Sequence, residues 1–223
     1  MMDGMATRVV GPRRSASDPD TGRAVAGLVL AGGAGTRIGG PKALLRDPSG
    51  VPWVATRAQS LTDAGCAPVM VAVGAEGTRV RDLLPAGVAA VQVREWRDGM
   101  GASLRGALRS LTTLGPDVEA VVVAVVDTPG LTSAVVSAVV DAGLSAARGS
   151  TLHGALVQAS YGGRPGHPVL IGRNHWLGVY LEAEGDVGAR AYLAHQKVRR
   201  VEVGDLGDGR DIDTQADLDA FRA

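Results

Sequence analysis

The sequence predicts an α/β fold: a single domain with a mostly parallel sheet, helices on both faces and a small β addition. Three observations carry that expectation. Apolar runs rich in Val and Leu recur at residues 24–33, 68–73, 119–126 and, more weakly, 87–93, as expected for strands buried on both faces of a parallel sheet. Segments of helical period lie between them. No repeat, charge block or low-complexity linker interrupts the alternation, so one layered α/β domain is expected throughout.

Taken in order, residues 1–23 (MMDGMATRVVGPRRSASDPDTGR) contain no apolar stretch of the ~7–15 residues that a secretory signal needs, and are expected to form a disordered leader before a domain of residues 24–223. AVAGLVLAGG reads as the first strand, ending in glycines. In residues 100–114 Met100, Leu104, Leu108 and Leu111 fall at helical spacing and lay one apolar stripe against a sheet. A further helix is expected to begin near Thr132. Two apolar segments, 155–160 and 168–171, flank the loop YGGRPGH and suggest a local β addition rather than another βαβ unit. Residues 214–223 read as a short closing helix.

Composition excludes several functions. The 223 residues are 45% hydrophobic and 21% charged, with 23 Lys plus Arg against 23 Asp plus Glu. Without a basic excess there is little to displace counterions from a phosphate backbone, and the seven scattered aromatics form no base-stacking platform, so nucleic acid is not an expected partner. Cys66 is the only cysteine, which rules out an intrachain disulfide and a multi-cysteine zinc site and suits a reducing cytoplasm. The longest apolar run, around residues 118–126, is far short of the roughly 20 residues that cross a bilayer.

Five constellations could carry chemistry. The first is LAGGAGTRIGGPKALL, residues 30–45, with five glycines, Arg37 and Lys42 in the loop after the first strand. Glycines let backbone N–H groups approach phosphate oxygens, and a cation there neutralises remaining charge, so this is a candidate nucleotide loop. It is not a Walker loop, because Pro41 precedes Lys42 and no Ser or Thr follows. Nor is it a complete dinucleotide motif, because Ile38 stands where the third glycine belongs. The chain uses 21 arginines and only two lysines, so Lys42 marks a place where a compact point charge is preferred to a planar guanidinium.

The second is Asp127, at the carboxyl end of the most apolar strand, where open α/β sheets bind ligands. A carboxylate there must be paired, metal-bound or exposed in a cleft, with capping of the following helix as its plain structural role and the metal reading the stronger. The third is GDGRDIDTQADL, whose Asp211 and Asp213 share one side if the segment is extended and suit Mg²⁺ as hard oxygen ligands; Asp213 or Thr214 could equally cap the last helix. The fourth is residues 94–104, where Gly99 and Ser103 open a helix that could hydrogen-bond a base edge or an anion. The fifth pairs GRPGHPVLIG, with His167 between Gly166 and Pro168, with GDVGARAYL, where Gly185, Asp186 and Arg190 follow. The other histidines, His153, His175 and His195, have no metal-ligand spacing.

The loop L-A-G-G-x-G-x-R-x-G-x-x-K resembles the signature loop of nucleotidyltransferases that charge sugars or molybdopterin, and with the other motifs the chain is similar to the molybdenum cofactor cytidylyltransferases and guanylyltransferases, the MobA-like NTP transferases. The resemblance runs from residue 25 to the C-terminus. It implies a Rossmann-like fold in which Leu30, Ala31, Gly32, Gly33, Gly35 and Arg37 cradle a triphosphate. Lys42 would stabilise charge on the α-phosphate and the leaving pyrophosphate, with Lys42, Arg37 and Asp127 as the catalytic set. Asp127-Thr128-Pro129 stands where the family has Asp-Met-Pro, which implies a Mg²⁺ ligand at Asp127 and a changed pocket wall at Thr128. The D-I-D-T element implies that Asp211 and Asp213 complete the metal site, with Asp211 favoured by analogy with sugar nucleotidyltransferases. Gly99 and Ser103 fall beside the nucleotide base, and Gly166, His167, Pro168 and Arg190 at the pterin substrate. The partners implied are CTP or GTP, molybdopterin, and a molybdoenzyme or its maturation chaperone.

Ala31-Gly32-Gly33 is the guanylyl form of the loop, whereas the G-P-K ending, the G-H-P segment and the D-I-D-T tail match the cytidylyl branch, so CTP is the expected nucleotide. A further branch of similar sequence, the nicotine blue oxidoreductases, would make the loop a pyridine-dinucleotide site and leave the paired aspartates without a metal. A nucleotide-binding module without turnover is a third reading. Lys42 and the acids argue against it, since binding alone needs no leaving-group cation.

Overall fold

The computed structural model describes residues 24–222, so the expected leader lies outside the described residues. Seven strands, β1 (Ala24–Ala31), β2 (Val69–Val73), β3 (Ala89–Gln92), β4 (Val118–Val125), β5 (Leu156–Tyr161), β6 (Arg164–Gly172) and β7 (Arg199–Glu202), form one sheet of order β3-β2-β1-β4-β6-β5-β7. The helices are α1 (Trp53–Asp63), α2 (Gly77–Arg81), α3 (Met100–Leu111), α4 (Ser133–Ala147), α5 (Trp176–Glu182), α6 (Arg190–Ala194) and α7 (Gln215–Arg222). β1 lies between β2 and β4 and is parallel to both, and β6 alone runs against its neighbours. The two segments around YGGRPGH form the β5–β6 hairpin, an antiparallel insertion into an otherwise parallel sheet.

The core has two layers because β1, β2 and β4 bury alternate residues on opposite faces. Val25, Val29, Val71, Val122 and Ala124 meet α1 and α4 on one side. Leu28, Leu30, Val121 and Val123 meet α3 and α5 on the other. Leu104, Leu108 and Leu111 are buried as the stripe predicts, but Met100 at its head is 36% exposed and turns to the cleft instead. The edge strands β3 and β7 are only four residues long, with no buried residue in either. β7 has Arg199, Arg200 and Glu202 rather than an apolar run, which is why its sequence gives no strand signal and why the edge resists further pairing.

After β1 the chain adds β2 and β3 on one side and then crosses to place β4 on the other. The carboxyl ends of β1 and β4 therefore part connections running in opposite directions, opening a crevice where Leu30 pairs with both Ala72 and Val125. No described helix is long and apolar enough to cross a membrane.

Cys66 packs under α1, and burial pushes its thiol up to about 12. The thiolate fraction at pH 8 is then only about one in ten thousand. Native protein is expected to resist iodoacetamide at pH 8 while guanidinium-unfolded protein is labelled at Cys66, as mass spectrometry reads directly.

Candidate functional site

The loop after β1 folds on itself. Gly35 has φ 59°, and its carbonyl accepts the amides of Ile38 at 3.0 Å and Gly40 at 3.1 Å. A side chain here would be strained and would strike the Gly40 carbonyl. Ile38, in the third-glycine position, is 8% exposed and anchors the loop, while Arg37 extends into solvent. Lys42 opens a short turn whose Ala43 is buried, and the Leu45 carbonyl accepts the Trp53 amide at 2.8 Å, which fixes Lys42 to the start of α1.

Asp127 stands two residues beyond the end of β4, in the turn after Val126. It does not cap α4: Thr132 does, its hydroxyl accepting the Val135 amide at 3.2 Å. Thr128 is 2% exposed, with its hydroxyl turned back onto the Val125 carbonyl at 3.0 Å. Thr128 is not among the residues that line the cleft.

Neither Asp211 nor Asp213 caps α7. Thr214 and Asp217 do so reciprocally, the Asp217 carboxylate taking the Thr214 amide at 2.8 Å and the Thr214 hydroxyl taking the Asp217 amide at 3.2 Å. Ile212 is buried between the two acids and donates its amide to the Asp127 carbonyl at 3.0 Å, tying the two acidic segments together.

Lys42 Nζ lies 2.7 Å from Asp127 Oδ2 and 2.6 Å from Asp213 Oδ1, with Arg37 3.5 Å from Asp213. Burial works to lower the Lys42 pKa, but the hydrogen bonds and charges of Asp127 and Asp213 outweigh it and hold the ammonium above its ordinary value. Asp211 stands alongside: burial and the charges of Asp127 and Asp213 raise its carboxyl to about 6. Asp213 shares the Lys42 ammonium with Asp127, while Asp211 lies near enough to feel both their charges. Among the described residues no three Asp, Glu, His or Cys side chains are grouped as a self-sufficient metal site. Two carboxylates turned to one cation nevertheless fit Mg²⁺, which takes one or two protein carboxylates and completes its shell with phosphate and water.

These groups border a cleft of about 420 Å³. Leu30, Ala31, Gly32, Gly33, Gly35, Arg37, Lys42, Asp127, Asp213, Gly99 and Ser103 all line it, whereas Asp211, Gly166, His167, Pro168 and Arg190 do not. Gly99 has φ 99°, and a Cβ there would meet the Gly185 backbone. Ser103 is buried against Gly32. Trp96, Arg97 and Met100 also line the cleft, the Arg97 guanidinium stacking over the Trp96 ring at 4.3 Å. Sequence reasoning assigned Trp96 and Arg97 no role and Met100 only a place in the helix stripe, although a Trp in an otherwise polar run was a signal. Asp186 completes the wall because the Gly101 amide donates to the Gly185 carbonyl at 2.7 Å and Arg105 holds the Ala183 carbonyl.

Of the fifth constellation, Asp186 lines the cleft, whereas Gly166, His167, Pro168 and Arg190 form a shelf outside its lining. Tyr161 donates its hydroxyl to the His167 carbonyl at 2.8 Å, and His167 Nδ1 lies 3.4 Å from the Val123 carbonyl. Burial holds the imidazole below its ordinary pKa; Arg190 acts in the same direction, while the Val123 carbonyl and the Asp127 charge oppose it. Burial therefore favours the neutral imidazole. Arg190 also lowers the Asp211 pKa, so its charge reaches both the shelf and the acids.

The chain is similar to several known proteins. Residues 27–201 match the model of the MobA-like NTP transferase domain. The chain is 33% identical over 200 residues to nicotine blue oxidoreductase of Paenarthrobacter nicotinovorans, covering 85% of this chain and 92% of that protein. Among solved structures it resembles Rv0371c from Mycobacterium tuberculosis H37Rv, at 25% identity and TM-score 0.72, over 89% of this chain and 97% of that one. The same protein is known in a complex with manganese, at 23% identity and TM-score 0.69, over 89% and 98%. Molybdopterin-guanine dinucleotide biosynthesis protein A from Archaeoglobus fulgidus shares the fold at 17% identity and TM-score 0.58, over 88% and 96%. The strand-end acid, the glycine loop with its single lysine and the match across most of the sheet lead to one conclusion: the chain belongs to the MobA-like NTP transferase domain family.

Proposed function

We propose that this protein is a Mg²⁺-dependent nucleotidyltransferase that moves CMP, or GMP as the second choice, from a nucleoside triphosphate to the terminal phosphate of molybdopterin and releases pyrophosphate. The reading rests on the convergence of Lys42, Asp127 and Asp213 at the edge of a glycine-lined cleft at the sheet's carboxyl end. The loop from Leu30 to Gly35 and the exposed Arg37 receive the triphosphate. Gly99 and Ser103 face the base. Lys42 supplies positive charge to the α-phosphate and to the pyrophosphate as it leaves. Asp127 and Asp213 would hold the metal, which would supply positive charge to the transferring phosphoryl group, with Asp211 in reserve beside them. Gly166, His167, Pro168 and Arg190 form the acceptor shelf, Arg190 meeting the acceptor phosphate while one of its oxygens attacks the α-phosphorus in line. A molybdoenzyme, or the chaperone that matures it, is the recipient this reading implies.

The test is pyrophosphate release from CTP or GTP with molybdopterin and Mg²⁺. Release that requires both metal and acceptor is expected, with CTP preferred on the strength of the G-P-K, G-H-P and D-I-D-T segments. No release with either nucleotide would contradict the reading.

The raised Asp211 carboxyl sets a pH dependence. Its folded pKa of about 6 exceeds its ordinary 3.8, so the neutral acid is the form that folding favours. Its charge opposes folding above about pH 6, and that cost is relieved as pH falls toward 4. Metal binding has the opposite sign, because the ion favours the ionised carboxylate: Mn²⁺ affinity is expected to fall as pH drops through 6, measured by electron paramagnetic resonance titration.

A second reading, hydride transfer from NAD(P)H, is favoured by the 33% identity to nicotine blue oxidoreductase. It gives no task to paired acids sharing a lysine. It predicts metal-independent NADPH binding.

A further inference from the structure

Helix α1 carries a feature that the cleft chemistry does not use. Arg57 is 3% exposed, the one charged side chain buried among the described residues, and no described carboxylate lies within ion-pair distance of it. Its Nη1 donates to the Thr128 carbonyl at 2.5 Å, and its Nε has no partner. Burial pushes its pKa down to about 10, opposed only by the charge of Asp47. A guanidinium in this position is costly, and an apolar side chain of similar volume would fill the space without that cost.

The cost falls on the peptide next to Asp127. One turn further along α1, Ser60 donates its hydroxyl to the Leu131 carbonyl at 3.1 Å, so a single helix face holds both ends of the turn 127–131. The turn is also fixed from within, the Thr128 carbonyl accepting the Leu131 amide at 3.2 Å, and from the acidic segment through Ile212. The same helix receives the Lys42 turn at the Trp53 amide and meets Phe221 of α7 edge-on through the Trp53 ring, with centroids 5.7 Å apart. All three limbs of the candidate site therefore bear on α1.

We propose that Arg57 is a positioning residue for Asp127, its buried guanidinium holding the Thr128 carbonyl so that the turn aims the carboxylate at Lys42 and the bound metal. The metal part rests on the nucleotidyltransferase reading. The positioning part stands on the turn itself.

The test compares wild type with Arg57→Met, which keeps volume without donors, and Arg57→Lys, which keeps the charge. Backbone amide exchange is followed by NMR, and Mn²⁺ binding by electron paramagnetic resonance with and without CTP. In Arg57→Met, exchange at Ile212 and across 127–131 is expected to quicken by about tenfold while β1 and β2 amides keep their protection. Mn²⁺ affinity is expected to fall by about 10–100-fold, the usual effect of removing a group that orients a metal ligand, with Arg57→Lys between the two. Unchanged exchange in the turn, or an equal rise throughout the chain, overturns the proposal; so does wild-type Mn²⁺ affinity in Arg57→Met. If Arg57→Met does not fold, the same criteria apply to Arg57→Lys. If wild type binds no Mn²⁺ with or without CTP, the metal reading fails, and exchange alone decides whether Arg57 holds the turn.

Discussion

Replacing Lys42 with Ala is expected to lower turnover by about 10²–10³-fold while nucleotide affinity changes by less than about tenfold. The asymmetry follows from where its charge is needed. In the free protein the ammonium sits between Asp127 and Asp213, so its interaction with the ground-state triphosphate is offset by what it leaves behind. As pyrophosphate departs, negative charge accumulates beside it, and a fixed donor at growing charge contributes on the order of 10²–10³ in rate. The substitution also removes the cation that the two carboxylates share, so Mn²⁺ without nucleotide should bind Lys42→Ala more tightly than wild type. Pyrophosphate-release kinetics and calorimetry on the two proteins check this. Equal turnover would remove Lys42 from the chemistry, and equal loss of affinity and turnover would make it a plain phosphate-binding group.

Asp127→Asn should abolish metal-dependent turnover and leave the fold intact. The amide keeps the carboxylate's shape but lacks its charge, and the backbone bond from Ile212 to the Asp127 carbonyl survives the change. A metal contributes several kcal/mol to a phosphoryl-type transition state, and losing about 4 kcal/mol is roughly 10³-fold in rate. Circular dichroism and melting should stay close to wild type, while Mn²⁺ binding in the presence of CTP is lost. Retained activity would exclude Asp127 as a ligand.

The strands were legible where both faces are buried, because β1, β2 and β4 are nearly continuous Val, Leu and Ala. β7 was not: its Arg199, Arg200 and Glu202 belong to an exposed edge, whose pairing with β5 depends on the hairpin rather than on its own composition. The candidate site was legible where chemistry demands a rare residue in a fixed place, as with Lys42 in an arginine-rich chain and Asp127 after the most apolar strand. The preference between Asp211 and Asp213 was not, since alternation puts both on one side and only the buried Ile212 and the position of Lys42 decide which reaches the cleft. Trp96 and Arg97 were hidden for another reason. They lie on a short turn with no periodicity, and their place in the wall is set by how Trp96 packs on Gly74, just after β2. Arg57 reads in the sequence as one more helical arginine, and only its burial distinguishes it.

The central claim is that the glycine-lined cleft takes a metal-bound nucleoside triphosphate. Its most direct test is thermal shift of the purified protein with CTP, GTP and NADPH, each with and without Mg²⁺. A ligand at a hundredfold excess over its Kd adds about 2.7 kcal/mol, which in a domain of this size raises Tm by roughly 5–10 °C. The account predicts a rise with CTP, smaller with GTP, that appears only when Mg²⁺ is present. A rise with NADPH alone, indifferent to Mg²⁺, would contradict it and assign the cleft to a pyridine dinucleotide.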